Sequence, residues 1–386
     1  MDFTGIIAEY DPFHNGHAAQ LAAVRAAGAQ CIAVCMSSGA VQRGGVPILP
    51  ESVRVRAALD AGADLVVALP APYACATAEQ FAAAGVHLLA ALGCDTLAFG
   101  AETPDAAALL DTARLLDGEE LNARIRQNLA TGMTYAAARA AAADAPHPGT
   151  GGLLRTPNNI LGIEYCKAIL HRHAALTPLA LPRLGAAHGG GAGAHAGTPM
   201  ASASFLRLPQ PDWEPFVPAR AAELYGRAAA DGLLLDGARL ETAVLALLRM
   251  QDPANFAQVR GVSEGLENRL TAAVREAESL DDLYTRLKTK RYPHARLRRL
   301  VLDAALGFPA ELPMPPYLHV LARKAALPRL KQASLPAATA LADLARTGPE
   351  TAKISRLHNK AVDFSSLCRE KIQPMGLAFT AKPVVI

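Results

Sequence analysis

GIIAEYDPFHNGHAAQL, residues 5–21, contains the pattern that decides the fold. Its apolar run at 5–8 predicts a strand, a polar loop follows the strand, and HNGH at 14–17 opens an alanine-rich segment of helical character. Open α/β sheets bind ligands at the carboxyl ends of their strands, and this loop falls at such an end. We therefore expect the loop to carry a binding site.

The HNGH sequence suits nucleotide phosphate. Gly16 lets the backbone approach a ligand closely, and the first amides of the following helix direct partial positive charge at an anion. His14 and His17 add imidazoles that can donate hydrogen bonds to phosphate oxygens. An HxGH pattern elsewhere in a chain is often only a turn and a helix cap, but its place between the first strand and the first helix favours phosphate binding.

Around this stretch, short apolar runs alternate with amphipathic segments, which indicates a parallel sheet covered by helices. Continuous apolar runs such as LVVAL at 65–69 are typical of a sheet that is buried on both faces. The predicted strands lie at 5–8, 31–36, 64–69 and 96–99, and the predicted helices lie near 17–27, 51–61 and 76–91.

The rest of the chain divides into two regions. We predict helices within 104–143, a helix at 159–171, a strand at 176–184, a glycine-rich loop at 186–199 and a short helix at 201–206. After residue 209 the β-runs largely vanish and helical periodicity takes over. The predicted fold is therefore α/β, with a Rossmann-like parallel sheet in a domain at 1–208 that is followed by a mainly α-helical domain at 209–386.

Composition excludes several classes of protein. The 386 residues are 51% hydrophobic and 19% charged, as in globular chains rather than disordered ones. No apolar run reaches the ~18 residues of a membrane span, and the first residues lack a secretory signal pattern. The six cysteines show neither a CxxC pair nor metal-ligand spacing. We expect a cytoplasmic protein with reduced thiols, no membrane association and no bound metal of its own.

Positive charge is concentrated in one segment. The net charge is only +3, yet seven of the fourteen residues at 286–299 are Arg or Lys and none is acidic. Tyr292 and His294 interleave with the basic residues. A run of charge is usually a solvated face, but a segment this dense and of one sign favours contact with a polyanion such as RNA. The phosphate-contacting candidates are Lys288, Lys290, Arg291, Arg296, Arg298 and Arg299.

A second signature lies far along the chain. SASFLR at 202–207 places the hydroxyls of Ser202 and Ser204 and the guanidinium of Arg207 near a helix start, where they offer further phosphate ligands. An HxGH sequence after the first strand, together with a later S-x-S-x-x-R segment, resembles the nucleotidyltransferases that transfer adenylyl groups.

Longer stretches narrow the resemblance to the bacterial tRNA(Met) cytidine acetate ligase family. They extend from residue 3 to about 325 and so cover both regions. The matching stretches are AEYDPFHNGH (8–17), CMSSGAVQRGG (35–45), GADLVVALP (62–70), AEQFA (78–82), LAFGAE (97–102), PNNILGIEY (157–165), SEGLENRL (263–270) and KTKRYPHARLRRLVL (288–302).

The resemblance implies a reaction in two steps. In this family acetate attacks the α-phosphate of ATP to give acetyladenylate and pyrophosphate, and the acetyl group then passes to N4 of the wobble cytidine of elongator tRNA(Met). Region 1–208 would be a nucleotidyltransferase-like ATP-binding domain and 209–386 would bind tRNA. The expected partners are ATP with the Mg²⁺ that usually accompanies it, acetate and elongator tRNA(Met).

Site residues follow from the resemblance by position. His14 and His17 would be catalytic and would stabilise charge that develops on the α-phosphate. Gly100 is also explained as a plain turn glycine, Asn158 or Asn159 as a helix N-cap, and Arg183 as a solvated surface arginine. The implied ATP-binding residues are Ile7, Ala8, Glu9, Tyr10, Asp11, Pro12, Phe13, His14, Asn15, Gly16, His17, Ala18, Ala19, Gln20, Gly100, Asn158, Asn159, Arg183, Ser202, Ser204 and Arg207.

The chain departs from the family pattern at a few positions. Asp11 stands where asparagine is expected, Glu51 where a lysine is expected, and Ala68 where a glutamate is expected. The glycine-rich stretch 186–199 replaces a more polar, aromatic one. Two other functions stay open at this point: a nucleotidyltransferase acting on a small phosphorylated metabolite, and an RNA-binding protein whose nucleotide site has decayed.

Overall fold

The structure is a computed structural model that describes residues 1–184, 191–208, 212–263, 265–289, 292–324 and 328–386. Its strands are β1 Phe3–Ala8, β2 Cys31–Ser37, β3 Leu65–Leu69, β4 Thr96–Ala101, β5 Thr177–Pro182, β6 Ala192–His195, β7 Thr198–Ala201, β8 Leu318–Arg323, β9 Ala337–Ala338 and β10 Val384–Val385. The helices of the first region are α1 Asn15–Ala26, α2 Glu51–Asp60, α3 Ala71–Ala74, α4 Ala78–Ala91, α5 Ala106–Leu116, α6 Glu119–Ala130, α7 Tyr135–Asp144, α8 Thr150–Leu153 and α9 Pro157–His171. The helices of the second region are α10 Ala219–Ala230, α11 Gly237–Arg249, α12 Leu266–Glu276, α13 Leu280–Leu287, α14 His294–Leu306, α15 Leu341–Ala345, α16 Pro349–Leu367 and α17 Leu377–Thr380.

The main sheet has the strand order β10-β8-β3-β2-β1-β4-β5, and β9 pairs with β8. Strands β1 to β5 are mutually parallel, whereas β8 runs antiparallel to β3. The α/β class and the parallel Rossmann-like sheet are therefore confirmed. The five strands predicted up to residue 184 are all present, with ends that differ by at most two residues from the prediction.

Helices cover both faces of the sheet. On one face, α1, α2 and α10 enclose a core that includes Ile32, Val34 and Tyr225. On the other face, α4 and α9 pack over Phe99 and neighbouring residues. Helix α4 lies very close to β1, because a Cβ added at Gly85 would come within 2.5 Å of Ile7 Cδ1. Sequence order and layer packing thus place the loop after β1 at the open carboxyl edge of the sheet.

The second region builds its core partly on the first. Buried residues of α11, α12, α13, α14 and α16 form one cluster, and Ala40, Val46, Ala71 and Cys75, from the segments after β2 and β3, belong to it. The helices therefore dock on the carboxyl edge of the sheet, the edge that carries the loop after β1.

Two predictions need correction. The short helix predicted at 201–206 is a 3₁₀ turn at Phe205–Arg207, and the glycine-rich loop predicted at 186–199 overlaps the β6–β7 hairpin, which spans 192–201. Within the second region the sequence prediction missed β8, whose six residues are too short to separate a buried strand from a helix by periodicity. The division of the chain at residue 209 stays a prediction.

Candidate active site

Hydrogen bonds from distant segments of the chain hold the loop after β1 in place. Asp11 is buried, and its Oδ1 accepts a hydrogen bond from the backbone N–H of Ile48 at 2.8 Å. Its carbonyl oxygen accepts from the Arg207 guanidinium. Tyr10 has a φ of 50°, a left-handed conformation that is uncommon for a side chain of this size. The Asp11–Pro12 peptide bond is cis. These contacts give the loop one defined path into α1.

The two histidines form a stacked pair at the start of α1. Their ring centroids are 3.7 Å apart and the ring planes differ by 22°. His14 Nδ1 accepts from the Gly16 backbone N–H at 3.1 Å, and His17 Nδ1 accepts from the His14 backbone N–H at 3.3 Å. A ring nitrogen that accepts carries no proton, so the hydrogen-bond network assigns the proton of each neutral ring to Nε2. Each Nε2–H remains a donor for a ligand.

Both imidazoles are neutral at pH 7. Burial, with the nearby Arg183 guanidinium, lowers the pKa of His14 to about 4. Burial, His14 and Arg183 lower the pKa of His17 well below its usual value. Tyr10 and Phe13 pack against the His17 ring, with centroids 4.8 Å and 5.6 Å away. The pair therefore offers two fixed donors without formal charge, at a helix N-terminus whose dipole favours anions.

Gly16 is required by this arrangement. A Cβ at residue 16 would lie 2.9 Å from His14 Cε1 and 3.2 Å from the Leu184 carbonyl oxygen. Any side chain would push the His14 ring away from the Gly16 amide. The glycine of the HxGH sequence is therefore needed for the close approach of the His14 imidazole to the backbone.

The SASFLR segment lies against the loop, as its sequence suggested. Arg207 bridges Asp11 and the Ser204 hydroxyl, which accepts from its guanidinium at 3.0 Å. Ser202 is buried, and its Oγ accepts from the Phe205 backbone N–H at 3.2 Å. Asn15 donates to the carbonyl oxygens of Pro199 and Pro215 at 2.9 Å and 3.2 Å. The amide group of Asn15 thus fastens the loop to the β7 hairpin.

The end of β4 forms the other side of the candidate site. A Cβ at Gly100 would have no atom within 4 Å, so space is open above this residue. Glu102 caps α9 by accepting from the backbone N–H groups of Asn158 and Asn159. Asn159 is buried and both ends of its side-chain amide bond to Thr103. The Asn159 side chain therefore joins the start of α9 to the segment after β4.

Asn158 and Arg183 lie beside this part of the site. The Asn158 side-chain amide donates to Glu102 at 2.7 Å. Arg183 follows β5, its backbone N–H bonds to the Ala101 carbonyl at 3.0 Å, and its charge acts on both histidines. The positive charge of Arg183 thus reaches the histidine pair.

A buried arginine that the sequence prediction missed lies beneath the loop. Arg54 is 1% exposed and donates to the carbonyl oxygens of Glu9 and Ser37 at 2.7 Å and 2.9 Å, where β1 and β2 end. The sequence could have indicated this burial, because Arg54 falls on the apolar face of α2, next to Val55. Burial lowers the pKa of Arg54, and the neighbouring acid Asp11 opposes that change.

Helix α14 presents the basic segment. Arg298 is exposed, and its guanidinium lies 5.9 Å from the Tyr284 ring. Arg296 is half-buried, stacks 4.6 Å from the Tyr292 ring and donates to Ser263 Oγ at 2.8 Å. Tyr292 is buried and therefore supports Arg296 and is not open to stack on a base.

The remaining candidates of this segment differ in exposure. Lys288 is exposed and donates to the Tyr292 carbonyl at 2.8 Å. Arg299 is half-buried and donates to the Gln42 carbonyl at 3.4 Å. Lys290 and Arg291 lie outside the described residues.

Comparison with known proteins agrees with this geometry. Residues 1–375 match the HIGH Nucleotidyl Transferase family model. The tRNA(Met) cytidine acetate ligase of Syntrophotalea carbinolica is 37% identical over 309 residues, which are 78% of this chain and 73% of that protein. The ligase of the same name from Bacillus subtilis is 33% identical over 311 residues, which are 78% of this chain and 75% of that protein. This chain belongs to the tRNA(Met) cytidine acetate ligase family.

The fold of a solved structure agrees with that membership. The crystal structure of Thermotoga maritima TmcAL bound with alpha-thio ATP superposes with a TM-score of 0.89 at 24% identity, with full coverage of both chains. An apo form of the same protein gives a TM-score of 0.90. The two chains therefore share one architecture from end to end.

The three single-residue departures from the family pattern all fall among the described residues. Burial raises the pKa of Asp11, and the Arg54 guanidinium opposes that change. Burial also raises the pKa of Glu51 to about 7, and the Ser38 hydroxyl donates to its carboxylate. Glu51 lines a cavity of about 190 Å³ together with Arg54 and Arg369. Ala68 is buried in β3.

Two findings bear on metals and membranes. Across the described ranges, no three His, Cys, Asp or Glu side chains gather as a metal site would require. The carboxylate of Glu9 accepts from Gln42 and Arg43, and that of Asp11 accepts from Ile48. Among the helices that the structure describes, none has the length and apolar character needed to span a bilayer.

Proposed function

We propose that this chain is an ATP-dependent tRNA(Met) cytidine acetate ligase. The observation that carries the proposal is the stacked pair His14 and His17, whose two Nε2–H donors stand at the N-terminus of α1. Membership of the ligase family supports the choice of acetate and tRNA as substrates.

In the first step a carboxylate oxygen of acetate attacks the α-phosphorus of ATP, and the bond to the bridging oxygen of pyrophosphate breaks. Negative charge grows on the non-bridging oxygens of the α-phosphate as the new bond forms. The Nε2–H groups of His14 and His17, together with the α1 amides, would stabilise that charge without forming a bond to phosphorus. Arg183, Ser204 and Arg207 would hold the rest of the triphosphate, and Gly100 would leave room for the nucleoside.

In the second step N4 of the wobble cytidine attacks the acetyl carbonyl. AMP leaves, and the attacking nitrogen loses a proton. The basic side chains of Lys288, just after α13, and of Arg296, Arg298 and Arg299 on α14 would bind the phosphates of the tRNA and orient it rather than read its sequence. Helix α14 docks on the carboxyl edge of the sheet. RNA bound to it would therefore lie on the same side of the sheet as the candidate ATP site.

Magnesium would arrive as part of the MgATP substrate. The carboxylates of Glu9 and Asp11 are already engaged by protein donors, so the triphosphate itself would supply most oxygen ligands to the ion. Acetate would lie between the α-phosphate and the cytidine.

Omission experiments test the proposal. Purified protein is incubated with ATP, labelled acetate and unmodified elongator tRNA(Met), with each component left out in turn, and pyrophosphate and labelled tRNA are measured. Acetate-dependent exchange of pyrophosphate into ATP without tRNA is expected. Transfer of a nucleotide to a phosphorylated metabolite would support the small-molecule alternative, and RNA binding with no pyrophosphate release would support the decayed site.

His17→Ala provides a site-specific test. We expect it to abolish adenylate formation, a loss of at least about 100-fold, because one preorganised donor to the developing charge is removed. The affinity for tRNA should stay within about twofold, since α14 is untouched. Equal loss of both activities would show a folding defect instead.

A further inference from the structure

A tight turn at residues 41–45 lies between α14 and the loop after β1, residues 9–14, which we call the nucleotide loop. The backbone N–H of Val41 donates to the Gly45 carbonyl at 3.0 Å, and that of Gly44 donates to the Val41 carbonyl at 2.9 Å. Gly44 has a φ of +80°, which favours glycine. The turn is therefore closed on itself and has a defined shape.

One side of the turn is tied to the end of β1. The Glu9 carboxylate accepts from the backbone N–H of Gln42 and from the Arg43 guanidinium, the latter at 3.2 Å. Glu9 follows the last residue of β1 and is therefore the first residue of the loop that carries His14. The turn is thus tied to the base of that loop.

The other side of the turn lies directly on α14. A Cβ at Gly44 would be 2.4 Å from the backbone nitrogen of Arg299 and 2.5 Å from the carbonyl carbon of Arg298. Arg299 also donates to the Gln42 carbonyl at 3.4 Å. The neighbours of Gly44 are backbone atoms of a helix, which cannot rotate out of the way as the end of a side chain can.

We propose that Gly44 is a positioning residue for acetyl transfer, because the 41–45 turn sets the distance between the nucleotide loop and α14. This inference rests on the proposed function. Adenylate formation needs the loop alone, and tRNA binding needs α14 alone. Acetyl transfer needs the nucleotide loop and α14 at a fixed distance from each other. It is therefore the step that a displaced turn would impair. A misplacement of about 1 Å can cost about 100-fold in rate.

Gly44→Ala tests the proposal against two matched controls. Gly93→Ala introduces the same backbone strain, since Gly93 also has a φ of +80°, but its Cβ would meet no atom within 4 Å. Gly45→Ala changes the adjacent residue, where a Cβ would meet only Val41 Cγ2, at 3.9 Å. The measurements are acetate-dependent ATP–pyrophosphate exchange without tRNA, the dissociation constant for tRNA(Met), and single-turnover acetyl transfer from preformed adenylate.

For Gly44→Ala we expect the rate of acetyl transfer to fall about 10- to 100-fold. The rate of ATP–pyrophosphate exchange and the affinity for tRNA should stay within about twofold of wild type. Both controls should transfer at nearly the wild-type rate. Unchanged transfer in Gly44→Ala would overturn the proposal. A parallel loss of exchange would also overturn it, because the turn would then serve the ATP site alone.

A second variant and a second readout cover the remaining outcomes. Arg43→Gln removes one of the two contacts that Glu9 makes with the turn and leaves the Gln42 N–H bond in place. It adds no bulk, so it should reduce transfer selectively, by less than Gly44→Ala does, even if Gly44→Ala fails to fold. Hydrogen exchange of the Gln42 amide should be faster in the folded Gly44→Ala protein than in Gly93→Ala, and unchanged protection would contradict the bridge. If wild-type protein forms adenylate but never acetylates tRNA, the proposed function fails. Hydrogen exchange of the Gln42 amide still tests the contact between the turn and Glu9 in that case.

Discussion

At the scale of residues, the site depends on which nitrogen of each imidazole carries the proton. The two Nδ1 atoms are occupied by backbone N–H donors, and burial keeps both rings neutral. The residue types His14, Gly16 and His17 could be predicted from the sequence, because a short local pattern encodes them. The tautomers and the stacking could not, since they depend on loop backbone fixed by Arg54 and Arg207 from distant segments.

The lowered pKa of His14 predicts a pH-dependent stability. Between the unfolded value of about 6.5 and the folded value of about 4, the unfolded chain binds more protons at this residue, so its contribution to stability is lost as the pH falls through that window. His14→Asn retains an N-cap acceptor but cannot titrate. In urea unfolding of the nucleotide-free protein, we expect the wild type to lose about 2 kcal/mol more than the variant between pH 7 and 4.5. Parallel curves would contradict the buried neutral ring.

Gly16→Ala is expected to slow adenylate formation with little effect on stability. The added methyl group would meet the His14 ring at 2.9 Å and would displace it from the Gly16 amide. Pyrophosphate exchange should fall about 100-fold, since correct placement of one donor is worth that order of rate. The melting temperature should change by only a few degrees, and Gly152→Ala, where a Cβ meets no atom within 4 Å, is the control. Full exchange activity in Gly16→Ala would show that His14 does not need this position.

At the scale of elements, strands with continuous apolar runs and helices with clear periodicity could be predicted from the sequence, as β3 and α9 show. The β6–β7 hairpin could not, because its glycine and alanine residues carry no alternation of polarity. Strand β8 was missed because its place beside β3 is decided by long-range pairing and not by local pattern. The basic charge of α14 could be predicted, but the burial of Tyr292 could not.

Helix α14 leads to a prediction about salt. Arg298 is exposed and forms no ion pair with any other described residue, which suits a phosphate contact. Arg298→Gln should reduce the slope of log Kd for tRNA against log salt by about 0.7–0.9, the amount expected for one phosphate. Arg346→Gln, at an exposed arginine paired with Asp343, is the control and should leave the slope unchanged. An unaltered slope for Arg298→Gln would place the RNA on another surface.

At the scale of the whole molecule, a buried ion pair joins the helical region to the sheet. Arg260 bonds to Asp303 of α14 at 2.8 Å and 2.9 Å, and its guanidinium also donates to the Pro72 carbonyl and to Cys75 Sγ beside β3. Together with the 41–45 turn, this pair fixes α14 on the carboxyl edge. Long-range contacts of this kind leave no signature in a single sequence.

Asp303→Asn is expected to destabilise the protein by about 3–5 kcal/mol, because Arg260 would remain buried without a counter-charge. The free energy of unfolding in urea measures this effect. Asp343→Asn removes the carboxylate of an exposed pair and should cost less than about 1 kcal/mol. Equal effects of the two substitutions would show that the buried pair does not join the two regions.

In the mechanism that we propose, one molecule activates acetate at the histidine pair and delivers the acetyl group to a cytidine held by α14. The most direct measurement is mass spectrometry of unmodified elongator tRNA(Met) after incubation with the protein, ATP and labelled acetate. We predict labelled N4-acetylcytidine at the wobble position, formed with wild-type protein and absent with His17→Ala. Pyrophosphate release with no acetylated cytidine in that tRNA would contradict the account.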